Sequence, residues 1–199
     1  MIPASLQDAA ASFDRLPGVG PRAALRYAYW LVTQPKETIE RFAQSINKLA
    51  QNVASCAICY QWADRSPCAI CEDPRREAGV LCVVATSQDV QSVEETGVFR
   101  GRYHVLGGLL DPIEGHTPER LEIASLLKRL MQAESPIREL ILALDANVQG
   151  DTTALYLKKQ LASFPLKLTR LARGLPTGAA LEYADAHTLA DALLNRKES

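Results

Sequence analysis

Two Cys-x-x-Cys pairs, Cys56-Ala-Ile-Cys59 and Cys68-Ala-Ile-Cys71, stand eight residues apart and can present four thiolates to one tetrahedral ion. Four soft sulfur donors point to zinc, one ion per chain. Each pair places its sulfurs on a tight turn, and Ser66-Pro67 between them is a turn dipeptide able to fold the second pair back onto the first. The rival readings are a redox site or two disulfides in a secreted domain. Against secretion, Met1-Ile-Pro-Ala-Ser-Leu6 has neither the charged nor the apolar segment of a secretory leader, so a cytoplasmic chain with reduced thiols is expected. A site closed by four protein ligands holds structure and performs no reaction. The fifth cysteine, Cys82, lies in the apolar run Val80-Leu-Cys-Val-Val-Ala85 and reads as a small core residue.

A second constellation is Leu16-Pro-Gly-Val-Gly-Pro21, followed by Arg22 and Arg26. Gly18 and Gly20 let the backbone turn without a Cβ in the way, exposing free N–H groups beside a helix N-terminus. Those groups can hold a phosphate. Arg22 and Arg26 are four apart, so they share a helix face near that terminus and add charge to the same phosphate track. The stretch resembles the helix-hairpin-helix motif, which grips the nucleic-acid backbone without reading bases; the plainer alternative is a glycine-containing loop in a helical bundle.

Bulk composition sets limits on both readings. Of the 199 residues, 47% are hydrophobic and 23% charged, as in ordinary globular chains, and no apolar run is long enough to span a bilayer. The net charge is −1, so nucleic-acid binding has to rest on basic residues gathered on one face.

The elements that must position these residues follow from the hydrophobic pattern. Residues 4–14 read as a helix with Leu6, Ala9, Ala10 and Phe13 on one face, and residues 22–32 as the second helix of the hairpin. A third, over 36–54, carries Ile39, Phe42, Ile46, Leu49 and Val53 in one stripe, as for a core or a subunit contact. After the cysteines and the charged connector 72–77, short apolar strands alternate with helices. Strands are expected at 80–84, 102–106, 138–144 and 167–171. Thr86 to Asp89 caps one intervening helix, Thr117-Pro118 starts another running to about Ala133, and Asp151 caps a third ending before Phe164-Pro165. The tail from Arg173 contains a loop and a short helix bearing Leu189, Leu193 and Leu194, expected to pack or to exchange between subunits. This is an α/β chain whose parallel sheet has helices on both faces, with function gathered at the carboxyl ends of the strands.

That sheet resembles the Toprim fold of topoisomerases and primases, which places a glutamate after the first strand and Asp-x-Asp after the third. Here Ala85 stands in the first position and Asp145-Ala-Asn147 in the second, so one carboxylate of three remains. A magnesium ion for phosphoryl chemistry wants converging carboxylates, which disfavours a Toprim-type nuclease or primase.

The ordered set comprises Leu-Pro-Gly-Val-Gly-Pro, the four-cysteine module, Asp73-Pro-Arg-Arg76, the Toprim-like sheet, and Gly174-Leu-Pro-x-Gly178 through Leu181-Glu-Tyr-Ala-Asp185. It resembles the bacterial recombination mediator family RecR over nearly the whole chain. Two positions depart from the family: Ala85, usually glutamate, and Ala179-Ala180, usually glycine and an acidic residue. The resemblance implies a helix-hairpin-helix domain at 1–54, a zinc finger at 55–76, a Toprim-like domain at 77–173 and an oligomerisation tail at 174–199. It further implies a non-enzymatic DNA-repair protein of the cytoplasm and nucleoid, assembled as a homotetrameric ring around DNA. Its partners would be RecO and RecF, with Asp145 and Asn147 as candidate partner contacts on the Toprim surface.

Overall fold

The computed structural model describes residues 2–132 and 137–196. The chain divides into two compact units, Met1–Val53 and Ala54–Ser199.

The first unit contains α1 (Ala4–Phe13), α2 (Pro21–Val32) and α3 (Lys36–Asn52). Pro21 occupies the first turn of α2, where its fixed φ suits a helix and its missing N–H costs nothing. The pair α1 and α2 closes over Leu6, Ala24 and Ala28, while the rings of Phe13 and Tyr27 meet edge to face at 6.2 Å. No residue of α3 is buried: Phe42, Ile46 and Leu49 of its stripe are 45%, 52% and 59% exposed. The stripe expected as a core or a subunit contact is therefore not core.

The second unit opens with the antiparallel pair β1 (Ala54–Ser55) and β2 (Trp62–Ala63), then α4 (Ala69–Glu72). It continues through β3 (Glu77–Val84), α5 (Ser87–Glu95), β4 (Gly101–Val105) and α6 (Ile123–Met131). It ends with β5 (Glu139–Ala143), α7 (Val148–Gln160), β6 (Lys167–Arg170) and α8 (Ala186–Leu194). The last four strands form one sheet in the order β4-β3-β5-β6, every pairing parallel, with Val84 opposite both Val105 and Ala143. Strand alternation splits the side chains between two cores. Leu81, Val83, Leu140 and Leu142 pack with Leu126 of α6 and Leu157 of α7; Cys82, Val84 and Tyr103 pack with Val90 of α5. Cys82 is thus core, as its run of neighbours indicated, and burial pushes its thiol up to about 12.

Thr86 and Asp89 form the expected capping box on α5. Two other expectations are corrected. The helix predicted from Thr117-Pro118 to about Ala133 is broken: Pro118–Arg120 is a short 3-10 turn, and α6 begins at Ile123. Between them Leu121 is extended and buried, and the amide of Glu122 donates to the carbonyl of Leu106 at 2.8 Å, so core packing interrupts the helix. Ala133 lies outside the described residues. Asp151 does not cap α7; Asn147 does, its side-chain oxygen accepting from the amide of Gly150 at 2.8 Å. Asp151 sits one turn inside and pairs with Arg170 at 2.8 Å and with Arg173.

The charged connector is anchored by Arg76, which no periodicity marked. Its guanidinium forks onto Glu94 of α5, with Nη1 at 2.8 Å from one oxygen, and the Tyr103 hydroxyl donates to the same carboxylate at 2.6 Å. The Arg76 guanidinium, with help from Tyr103, holds the Glu94 carboxyl below its ordinary range against the effect of burial.

Candidate functional site

The four cysteines of the two pairs come together in the second unit. Their sulfurs all lie within 4.8 Å of one another and all four are buried, the only such group of potential ligands among the described residues. The geometry is built by two knuckles. In the first, the Tyr60 amide donates to the Cys56 carbonyl at 2.9 Å, with Tyr60 at φ 66° to complete the turn. In the second, the Glu72 amide donates to the Cys68 carbonyl at 3.1 Å. The Cys68 amide points at the Cys56 sulfur at 3.3 Å, and the Ala57 amide donates to the Ser66 hydroxyl at 2.9 Å. These contacts lock the knuckles face to face. All five cysteines are free, contrary to the disulfide reading; the Cys59 and Cys68 sulfurs stand 3.6 Å apart. Burial pushes the Cys56 thiol up, but the backbone donors of Cys59, Ile58 and Cys68 outweigh it and bring it down to about 6. Cys59 moves the other way because its thiol bonds to Cys71 and is buried. A buried set of four sulfurs, one already acidified by amide donors, has the donor chemistry of a closed thiolate metal centre.

The module also touches the sheet. The Cys59 carbonyl accepts from the Val105 amide at 2.8 Å on the outer side of β4. Arg129 of α6 donates through Nη1 to the carbonyls of Ile58 at 3.3 Å and Tyr103 at 2.8 Å, joining module, helix and strand.

In the first unit, the hairpin between α1 and α2 leaves backbone donors free at a helix N-terminus, groups that can meet a phosphate. Gly18 takes a positive φ of 77°, and Gly20 is the extended N-cap of α2. The amides of Gly18, Gly20, Arg22 and Ala23 donate to no acceptor among the described residues. Arg22 and Arg26 are both exposed on α2, and the Arg26 guanidinium lies 5.6 Å from the centre of the Tyr27 ring. All four residues singled out here fall on one hairpin.

At the carboxyl end of the sheet, Ala85 is buried and Asp145 and Asn147 are exposed. The Asn147 oxygen is occupied by the Gly150 amide. A Cβ on Gly150 would stand 2.0 Å from the Asp145 carbonyl oxygen, so only glycine lets α7 start this close to the strand end. A single free carboxylate remains from the three that a magnesium centre of this fold would need.

Comparison with known proteins accounts for most of the chain. Residues 6–50 match the family model described as RecR, helix-hairpin-helix; residues 79–172 match the Toprim domain; residues 174–197 match RecR, C-terminal. The chain is 45% identical to the recombination protein RecR of Treponema pallidum, covering 99% of this chain and 96% of that one. It is 45% identical to that of Bifidobacterium animalis, over 94% and 92% of the two chains. For Synechococcus sp. strain CC9311 the identity is 47%, over 93% and 96%.

Proposed function

The chain belongs to the RecR family of recombination proteins, and on that premise we propose that it is a non-enzymatic mediator of DNA repair and recombination. It works as a homotetrameric ring that encircles DNA and acts with RecO and RecF to load recombinase at single-strand gaps in the cytoplasm and nucleoid. The observation that carries the DNA-binding part is the hairpin: unpartnered amides at Gly18 and Gly20 beside exposed Arg22 and Arg26. Such groups reach phosphates and no base edges, so binding is independent of sequence. A ring explains how a chain of net charge −1 retains DNA, since topology multiplies a few contacts per subunit. The exposed stripe of α3 and the tail with α8 supply contacts between subunits. Asp145 and Asn147 belong to the surface offered to the protein partner, and Cys56, Cys59, Cys68 and Cys71 hold one structural zinc ion.

A Toprim-type nuclease or primase is disfavoured. Ala85 offers no oxygen and the Asn147 oxygen is already engaged, which leaves developing phosphoryl charge without a metal clamp.

The test is DNA binding against salt. Arg22→Ala/Arg26→Ala, shown to keep its metal and oligomeric size, should bind single- and double-stranded DNA of every sequence more weakly. Each lost contact should make the log–log salt slope shallower by about 0.7–0.9. Unchanged affinity and slope would refute the assignment, and magnesium-dependent turnover abolished by Asp145→Ala would favour the enzyme.

A further inference from the structure

A cleft of about 560 Å³ opens between the cysteine module, β4 and α6, and the residues that line it belong neither to the hairpin nor to the sheet's carboxyl end. Arg102, Lys128 and Arg129 line it, and no carboxylate among the described residues does. None of the three forms an ion pair among the described residues. Arg129 is fixed by its bonds to the Ile58 and Tyr103 carbonyls, and its charge faces the sulfurs of Cys71, Cys59 and Cys56. Arg102 is the more telling group: its Nε is buried and has no hydrogen-bond partner. A buried donor left unpaired costs about 1–3 kcal/mol, and it shows that this guanidinium is not committed to a protein acceptor through that atom.

The charge count selects the ligand. With Arg129 facing the cysteine sulfurs, Arg102 and Lys128 are the cations left to the cleft; a carboxylate would neutralise one of them, whereas a phosphomonoester dianion neutralises both and brings three acceptor oxygens. Ser125 contributes nothing directly, because its hydroxyl donates to Glu122 at 2.6 Å. Ile58 and Ile137 give the cleft apolar walls for the body of the ligand. We propose that this cleft binds a phosphomonoester, the terminal phosphate of a free nucleotide or of a nucleic-acid strand end. The hairpin is suited to phosphodiesters along a backbone, and the cleft's selectivity does not depend on it.

The two are separated by working in the full chain carrying Arg22→Ala/Arg26→Ala, with calorimetric titration of dAMP against deoxyadenosine. A second arm compares one oligonucleotide with a 5′-phosphate or a 5′-hydroxyl. Binding should require the phosphate in at least one arm, and the arm that shows it identifies the source. Arg102→Met and Lys128→Met, each retaining metal content and melting temperature, should each weaken that binding at least about tenfold. Arg129 is left intact because it also holds the module. No phosphate dependence in either arm, or phosphate-dependent binding unchanged in both variants, overturns the proposal.

Discussion

The Cys59 carbonyl accepts a hydrogen bond from the Val105 amide at 2.8 Å, so the cysteine module covers part of the outer edge of β4. An uncovered strand edge presents a template for unwanted pairing with another chain. The cysteine module and the sheet are therefore bonded to each other through the backbone.

Removing a ligand should disturb both. Cys56→Ser should lose its metal, melt at lower temperature and exchange the Val105 amide hydrogen faster, whereas Cys82→Ser should retain full metal content. Metal analysis with hydrogen exchange read at Val105 checks this. Full occupancy and unchanged melting in Cys56→Ser would show that the cluster is not a structural centre.

Stability should fall in mild acid because of His104. The ring is buried against Tyr60 at 5.3 Å, Nε2 bonds to the Glu122 carbonyl at 2.8 Å, and Nδ1 has no partner. Burial lowers its pKa to about 4, while in the unfolded chain it is about 6.5. Between those values the unfolded state takes up a proton that the folded state refuses. Stability from this group is complete above the unfolded value and is lost as pH falls towards 4, at up to about 1.4 kcal/mol per pH unit. Urea melts at pH 7 and pH 5 should show the decline, and His104→Asn should flatten it.

The start of α7 gives a paired comparison. Asn147→Ala should cost about 1 kcal/mol through the lost cap. Asp151→Ala should cost less, because its ion pairs with Arg170 and Arg173 are solvent-accessible. The reverse order in chemical denaturation would return the cap to Asp151.

The cysteine cluster and hairpin were legible because each is local: four ligands within one short stretch, and two glycines beside two arginines on one turn. The central strands β3 and β5 were legible because a strand buried on both faces reads as an apolar run. The break before α6 was not, since Leu121 leaves the helix for a core that only the folded sheet provides. Nor was Asn147 as a cap, because Asp151 is an equally good capping residue by type and the choice depends on where β5 ends. Arg102 and Arg129 stand far apart in sequence and carry no motif, and they share a cleft only because α6 returns beside the edge strand.

The central place of β3 bears on how the chain is made. Val84 pairs with Val105 on one side and with Ala143 on the other. A ribosome adding about 5–20 residues per second needs roughly 2–8 s to go from the first partner to the second. During that interval α5 and α6 have been made and can cover the two faces, but the inner edge of β3 has no strand to pair with. Long-range parallel pairing is slow even once the partner has emerged. The cysteine module, translated first and bonded to β4 at Val105, can cover part of the outer edge, leaving the inner edge of β3 as the surface on which a chaperone would act during synthesis.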